Sequence, residues 1–213
     1  MKKIAILGSG IVGQTLALGF QTHGYPVVMG TQNPDKRIDW KETPSSPVRI
    51  MSYADAANSA DILVLAVKGT AAEDVARAFA AHASGKTVID AVNPIADLPP
   101  DNGVLRFFTN LDQSLMERLQ KLVPEAHFVK TFNSVGNGRM VNPDFCGVRP
   151  TMFICGENAD AKKEVSAILE QFGWETEDMG GAPAARAIEP PCMLWCIPGF
   201  LRNQWCHAFK LLK

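Results

Sequence analysis

The sequence predicts an α/β fold, a mostly parallel sheet with helices on both faces and a small helical C-terminal tail. Three observations carry that prediction. Short apolar runs alternate with segments of helical period from Ile4 to Met179. The run Ile62 to Val67 is apolar throughout, as a strand buried on both faces requires. Finally, Gly8-Ser9-Gly10-Ile11-Val12-Gly13 fits G-x-G-x-x-G between the first apolar run and the first helical pattern, which makes the fold Rossmann-type and doubly wound.

The elements follow in order. Ile4 to Leu7 is a short strand stopped by Gly8. Ile11 to His23 carries Val12, Leu16 and Phe20 at helical spacing and ends at Gly24. Pro26 to Met29 is a second strand and Val48 to Met51 a short third. Ser52 to Ala57 opens a short helix, Ile62 to Val67 is the fourth strand, Ala71 to His82 a helix and Lys86 to Ala91 the next strand. Asn93 to Thr109, rich in Pro, Asp and Asn, is a loop. Leu111 to Val123 is an amphipathic helix with Leu111, Leu115, Leu119 and Leu122 on one face. His127 to Phe132 and Thr151 to Cys155 are strands, Ala159 to Phe172 a helix and Trp174 to Met179 a last strand. Beyond Gly180 the pattern changes. Ala184 to Glu189 is helical, Pro190-Pro191 interrupts, Cys192 to Trp195 is apolar, Pro198-Gly199 breaks again, and Phe200 to Leu212 is a final amphipathic helix. The division is therefore a dinucleotide-binding domain over 1–180 and a helical segment over 181–213.

Composition bounds the partners. The chain has 213 residues, 46% of them apolar, and a net charge of −1. That suffices for one large domain with a full core, and it gives no electrostatic footprint for nucleic acid. The apolar run behind Lys2 and Lys3 stops at Gly8, too soon for a signal peptide, and no window approaches a membrane span, so a cytoplasmic protein with no membrane partner is expected. The five cysteines, Cys146, Cys155, Cys192, Cys196 and Cys206, are odd in number, which argues against a disulfide framework. Cys192 and Cys196 can share a helix face, but their spacing to Cys206 and His207 fits no zinc pattern. All five are expected to be buried thiols, with no metal site.

The glycine turn has a physical role for each residue. Gly8 permits the tight turn, Gly10 lets the backbone approach a pyrophosphate, and Gly13 lets the helix pack on the strand. Free N–H groups at the helix start then face the phosphates. The second strand ends Met29-Gly30-Thr31-Gln32-Asn33-Pro34 with no acid at its tip. A carboxylate there would hold the ribose hydroxyls of NAD and repel a 2′-phosphate, so its absence favours NADP. Thr31, Gln32 and Asn33 can donate hydrogen bonds to that phosphate, and Lys36 or Arg37 can add charge.

Here the sequence resembles a known family, the coenzyme F420-dependent NADP oxidoreductases, whose pattern the cytosolic domains of membrane metalloreductases share. The matching motifs run in order along the chain. They are the Ile6 to Gly13 turn, Gly30-Thr31-Gln32-Asn33-Pro34, Asp90-Ala91-Val92-Asn93-Pro94 and Val129 to Gly136. Phe153 to Asn158 and Asp178-Met179-Gly180-Gly181 follow, with Ala185, Arg186 and Glu189 behind them. The resemblance implies that Ser9 to Val12 hold the pyrophosphate and that Thr31, Gln32 and Lys36 hold the 2′-phosphate. It also implies that Ala66, Val67 and Lys68 line the cofactor, while Asn93, Pro94 and the Phe132-Asn133-Ser134 turn lie near the nicotinamide. Two departures stand out. Gln32 occupies a place where the family commonly has Arg, and a glutamine amide cannot match a guanidinium on a phosphate. The tail, which in relatives helps form the acceptor pocket or a dimer seam, here carries Pro190-Pro191, Trp195, Trp205 and three cysteines.

No nucleophile–base pair stands out, and no catalytic residue is assigned. His23 and His82 end helices, where an imidazolium suits the dipole, and His127 begins a strand. His207 falls in the expected last helix, near the acceptor pocket, and Asn133 and Ser134 read equally as turn formers and as cofactor contacts. The expectation is an oxidoreductase that moves hydride directly between NADP(H) and a small-molecule acceptor, F420 or a flavin such as FMN or FAD. Two rivals are an imine or keto-acid reductase resembling pyrroline-carboxylate reductase, whose longer helical C-terminal domain this chain lacks, and an NADP(H)-binding sensor without turnover. A homodimer through the tail is left open.

Overall fold

A computed structural model describes residues 1–35 and 38–213. Six strands form one parallel sheet: β1 (Ile4–Leu7), β2 (Val27–Gly30), β3 (Arg49–Met51), β4 (Ile62–Leu65), β5 (Thr87–Asp90) and β6 (His127–Lys130). Their spatial order is β3-β2-β1-β4-β5-β6, so the chain reverses its direction of travel between β1 and β4. A crevice opens beyond the carboxyl ends of strands at such a switch point. Strands β1, β2, β4 and β5 are buried along their whole length, which is why they read as apolar runs rather than alternations.

Each face of the sheet has its own core. On one side α2 (Tyr53–Asn58), α3 (Ala72–Phe79) and α4 (Leu115–Leu122) bring Ala56, Val75, Phe79 and Leu119 against Ala5, Leu7, Leu63 and Leu65. On the other, α1 (Ile11–Thr22) and α5 (Ala159–Gln171) bring Leu16, Phe20, Val165 and Leu169 against Ile4, Ile6, Ile62 and Val64. The alternation of side chains along each strand thus sends neighbouring residues to opposite cores.

Four expectations are corrected. Strands β7 (Thr151–Ile154) and β8 (Glu175–Asp178) do not extend the main sheet in parallel. They form a separate parallel pair, and β7 meets β6 only through an antiparallel bridge at Lys130 and Cys155. Leu111 is not on the face of α4. It lies before the helix and is 72% exposed, because Ser114 caps α4 in a reciprocal capping box with Glu117 and sets the start there. Pro198-Gly199 does not break the tail: α6 (Ala185–Ile188) is followed by α7 (Pro191–Arg202), which runs through Pro198. Finally, Phe200 to Leu212 is not a helix. The left-handed Asn203 ends α7, and residues 203–213 return without helical structure, the Thr151 amide donating to Phe209 and the Leu211 amide to Thr151 Oγ1.

Candidate functional site

The glycine turn is built by close backbone approach. Gly8 has φ 131°, and a Cβ there would strike the Ala66 carbonyl. A Cβ on Gly13 would strike the Gly8 carbonyl. These contacts press α1 and the end of β4 against the end of β1 as no side chain would allow. Gly10 is the extended N-cap of α1, and the space where its Cβ would stand is open. Helix α1 has neither a side-chain cap nor an acidic residue in its first turn. Its leading amides and positive dipole end are thus left for an anion.

A cavity of about 420 Å³ lies over this helix end. Gly8, Ser9, Gly10, Ile11 and Val12 form one wall, and Ala66, Val67 and Lys68 beyond β4 form the other. Tyr53, Ala71 and Ala91 complete it. Tyr53, at the start of α2, was legible only as a helix opener; burial pushes its hydroxyl pKa up, against the pull of the Gln32 backbone. Lys68 is mostly exposed and meets Asp97 at 3.5 Å.

A second cavity of about 350 Å³ adjoins the first through Ser9 and holds Thr31 and Asn33. Ser9 Oγ and Thr31 Oγ1 stand 3.4 Å apart, tying the glycine turn to the tip of β2. Gln14, Ile38, Asp39 and Lys41 also line it. Gln32 is exposed and lines neither cavity. Lys36 and Arg37, expected to add charge here, lie outside the described residues.

Asn93 and Pro94, just past Ala91 in the chain, stand with Asn133 at the ends of β5 and β6, outside both cavity walls. Asn133 Nδ2 donates to Asn93 Oδ1 at 2.8 Å and to the Val92 carbonyl at 3.2 Å. Asn93 Nδ2 donates in return to the Asn133 carbonyl at 3.3 Å. Phe132, buried at φ 61°, turns the chain so that Asn133 points inward. Asn133 Oδ1 and Thr131 Oγ1 are buried without a hydrogen-bond partner, an arrangement that costs free energy unless a ligand or water supplies one.

Behind this knot lies a charge cluster that sequence reasoning missed. Lys130 Nζ meets Asp90 Oδ2 at 2.8 Å, Glu189 Oε1 at 3.0 Å and the Val92 carbonyl at 2.7 Å, with all three side chains buried. The Leu115 and Met116 amides at the start of α4 donate to Glu189, each at 3.0 Å. Burial pushes the Asp90 carboxyl upward against the pull of Lys130. For Lys130 burial acts downward, but Asp90 and Glu189 overcome it and hold the ammonium charged. The three residues stood in the quoted motifs, and charged residues ending apolar strands were the available signal.

The tail packs as an aromatic cluster rather than as a wall of either cavity. His207 stacks on Trp195 with centroids 4.9 Å apart; the Trp195 indole N–H donates to the His207 carbonyl and His207 Nε2 to the Trp195 carbonyl, each at 2.9 Å. Its expected helical position near an acceptor pocket is therefore replaced by a structural one. The cysteine expectation is corrected in part: Cys155 and Cys192 are buried, but Cys146 and Cys206 are exposed. Burial pushes the Cys155 thiol up to about 12. No group of three or more metal-binding side chains gathers among the described residues, and no helix among them is long and apolar enough to cross a membrane. His23 ends α1 and bonds Asn142 at 3.0 Å, away from the cavities.

Residues 3–94 match the family model described as NADP oxidoreductase, coenzyme F420-dependent. The chain is 27% identical to the F420-dependent NADP reductase of Methanothermobacter marburgensis, covering 88% of each. It is 28% identical to the metalloreductase STEAP3 of Rattus norvegicus over 93% of this chain but only 39% of that protein, so it spans well under half of that relative. A crystal structure from Arthrobacter sp. FB24, provisionally assigned as an F420-dependent NADP reductase, superposes with a TM-score of 0.92 at 29% identity over the whole of both chains.

Proposed function

We propose that this chain acts as the coenzyme F420-dependent NADP oxidoreductases it resembles do, transferring hydride directly between NADP(H) and a deazaflavin of the F420 type or a flavin. One observation carries the cofactor half of this reading. The uncapped, acid-free start of α1 opens onto two joined cavities at the switch point, and one of them runs to the tip of β2. That is the shape of an extended dinucleotide with a phosphate at each place where amides or hydroxyls are left unused.

The residues divide the work. The Ser9 to Val12 amides hold the pyrophosphate, and Ala66, Val67 and Lys68 cover its far side. Tyr53 offers an aromatic face toward the adenosine end, while Thr31 and Asn33 donate to the 2′-phosphate. Asn93, Pro94 and Asn133 form the turn at the nicotinamide end, held by the paired Asn93–Asn133 hydrogen bonds. When bound, the reduced nicotinamide supplies a hydride. The chain's part is to align two rings and keep water out. The wall of the larger cavity fits that part: among the described residues it presents amides, aliphatic groups, a phenol and Lys68, but no carboxylate, imidazole or thiol.

The test is anaerobic stopped-flow absorbance, mixing protein and NADPH with F420, FMN or FAD in turn. Rapid NADPH oxidation with one of them is expected and identifies the acceptor. Tight NADPH binding with no transfer to any acceptor would overturn the hydride reading and favour a small-substrate reductase or a sensor.

A further inference from the structure

The second cavity contains a lysine that the sequence pattern did not single out. Lys41 is the cation among its described lining residues, and Gln32, the neutral residue after Thr31, does not reach the cavity. The placement of Lys41 is built rather than incidental. Gln14, one turn into α1 and 93% buried, uses both ends of its amide. Its Nε2 donates to the Ser9 carbonyl at 3.1 Å, and its Oε1 accepts from the Lys41 backbone N–H at 3.0 Å. A single buried side chain therefore ties residue 41 to the turn that would carry the pyrophosphate. Ser9 Oγ is in turn 3.4 Å from Thr31 Oγ1, so the hydroxyls and the lysine belong to one frame around the same space.

We propose that Lys41, anchored through Gln14, is a residue that selects the 2′-phosphate of NADP(H) in this chain. The inference rests on the reading of the second cavity as the 2′-phosphate end of the dinucleotide site. Thr31 and Asn33 can donate charge-assisted hydrogen bonds to a phosphate but bring no positive charge to it. Among the described residues of this cavity, Lys41 supplies that charge. Asp39 lies on the same wall and acts in the opposite sense. It repels the phosphate and can accept from ribose hydroxyls, so the balance between Lys41 and Asp39 sets the preference between NADPH and NADH.

The experiment is a titration of the full chain with NADPH, NADH, 2′,5′-ADP and 5′-AMP, followed by nucleotide or tryptophan fluorescence, for the wild type, Lys41→Ala, Lys41→Arg and Asp39→Asn. Lys41→Ala is expected to weaken NADPH and 2′,5′-ADP by about tenfold or more, the worth of one charge-assisted contact. NADH and 5′-AMP should be unchanged, which also shows that the variant folds. Lys41→Arg should keep the preference, and Asp39→Asn should raise it. Added salt should erode the wild-type preference and leave that of Lys41→Ala nearly flat. A wild type that prefers NADPH while Lys41→Ala keeps the full preference would overturn the role of Lys41 alone. A wild type that binds NADPH and NADH equally would overturn the 2′-phosphate reading and this proposal with it.

Discussion

At Gly10 and Lys130 single atoms decide what the site can be. The Cβ position of Gly10 faces open cavity, and its φ of −72° is one that any residue adopts. Gly10→Asp should therefore fold normally yet place a carboxylate where the pyrophosphate is proposed to lie. Loss of NADPH binding with an unchanged unfolding curve is the expected result, and unchanged affinity would remove the glycine turn from the site. Lys130 behaves differently, since it is surrounded. Replacing it by Met leaves Asp90 and Glu189 buried without their cation, and removing one partner of a buried ion pair typically costs about 3–5 kcal/mol. Urea unfolding of Lys130→Met should show a loss of that order. A change under about 1 kcal/mol would mean that the cluster holds its carboxylates protonated and needs no lysine. Sequence patterns could locate Gly10, because its role is local. They could not pair Asp90, Lys130 and Glu189, which lie on two strands and a distant helix end.

Helix α4 shows how elements are set by their ends. Its capping box gathers Ser114 and Glu117, and Arg186 from α6 joins them, donating to both oxygens of Glu117 at 2.6 and 2.9 Å. The guanidinium, with the Ser114 contacts, holds the Glu117 carboxyl down to about 2. A depressed folded-state pKa contributes stability above the unfolded value, near the ordinary glutamate range of about 4.3, and loses it as pH falls toward about 2. Arg186→Ala should thus destabilise the protein most at neutral pH. The difference from wild type should shrink steadily between about pH 4.3 and 2 in pH-dependent thermal unfolding. A difference independent of pH would locate the effect of Arg186 in packing. The same helix explains the error at Leu111: spacing alone placed it in phase with Leu115 and Leu119, but the cap at Ser114 starts the helix later.

Across the whole molecule, the C-terminal segment closes on the strand ends rather than standing apart. Ala182, Ala185 and Ile188 join the core on one face of the sheet, and Glu189 reaches the buried lysine. Trp195, 6% exposed, presses on Gly136 in the loop after β6, where a Cβ would come within 2.7 Å of its ring. Trp195→Ala should cost about 3–5 kcal/mol, as deletion of a buried aromatic generally does. It should also speed amide exchange selectively over residues 132–137, which follow β6. Uniform acceleration across the chain would mean that the tail stabilises the fold without ordering that loop.

Sequence by itself determined the alternation of strands and helices, the glycine turn at the end of β1 and the acid-free tip of β2. Each of these is written in neighbouring residues: burial on both faces makes a strand apolar, and a turn of reversed φ demands glycine. Tertiary structure decided the rest. It detached β7 and β8 from the main sheet, carried α7 through Pro198, joined three buried charges and set Lys41 on the same cavity as Thr31. Proline at residue 198 is tolerated because neighbours in space, not in sequence, hold α7. Trp195 is clasped by His207, and Trp205 lies tilted beside it with ring centroids 5.7 Å apart, so packing outweighs the one backbone bond a proline forgoes. Long-range pairing has no local signature, since an ammonium at the end of a strand reads the same whether it meets solvent or two carboxylates.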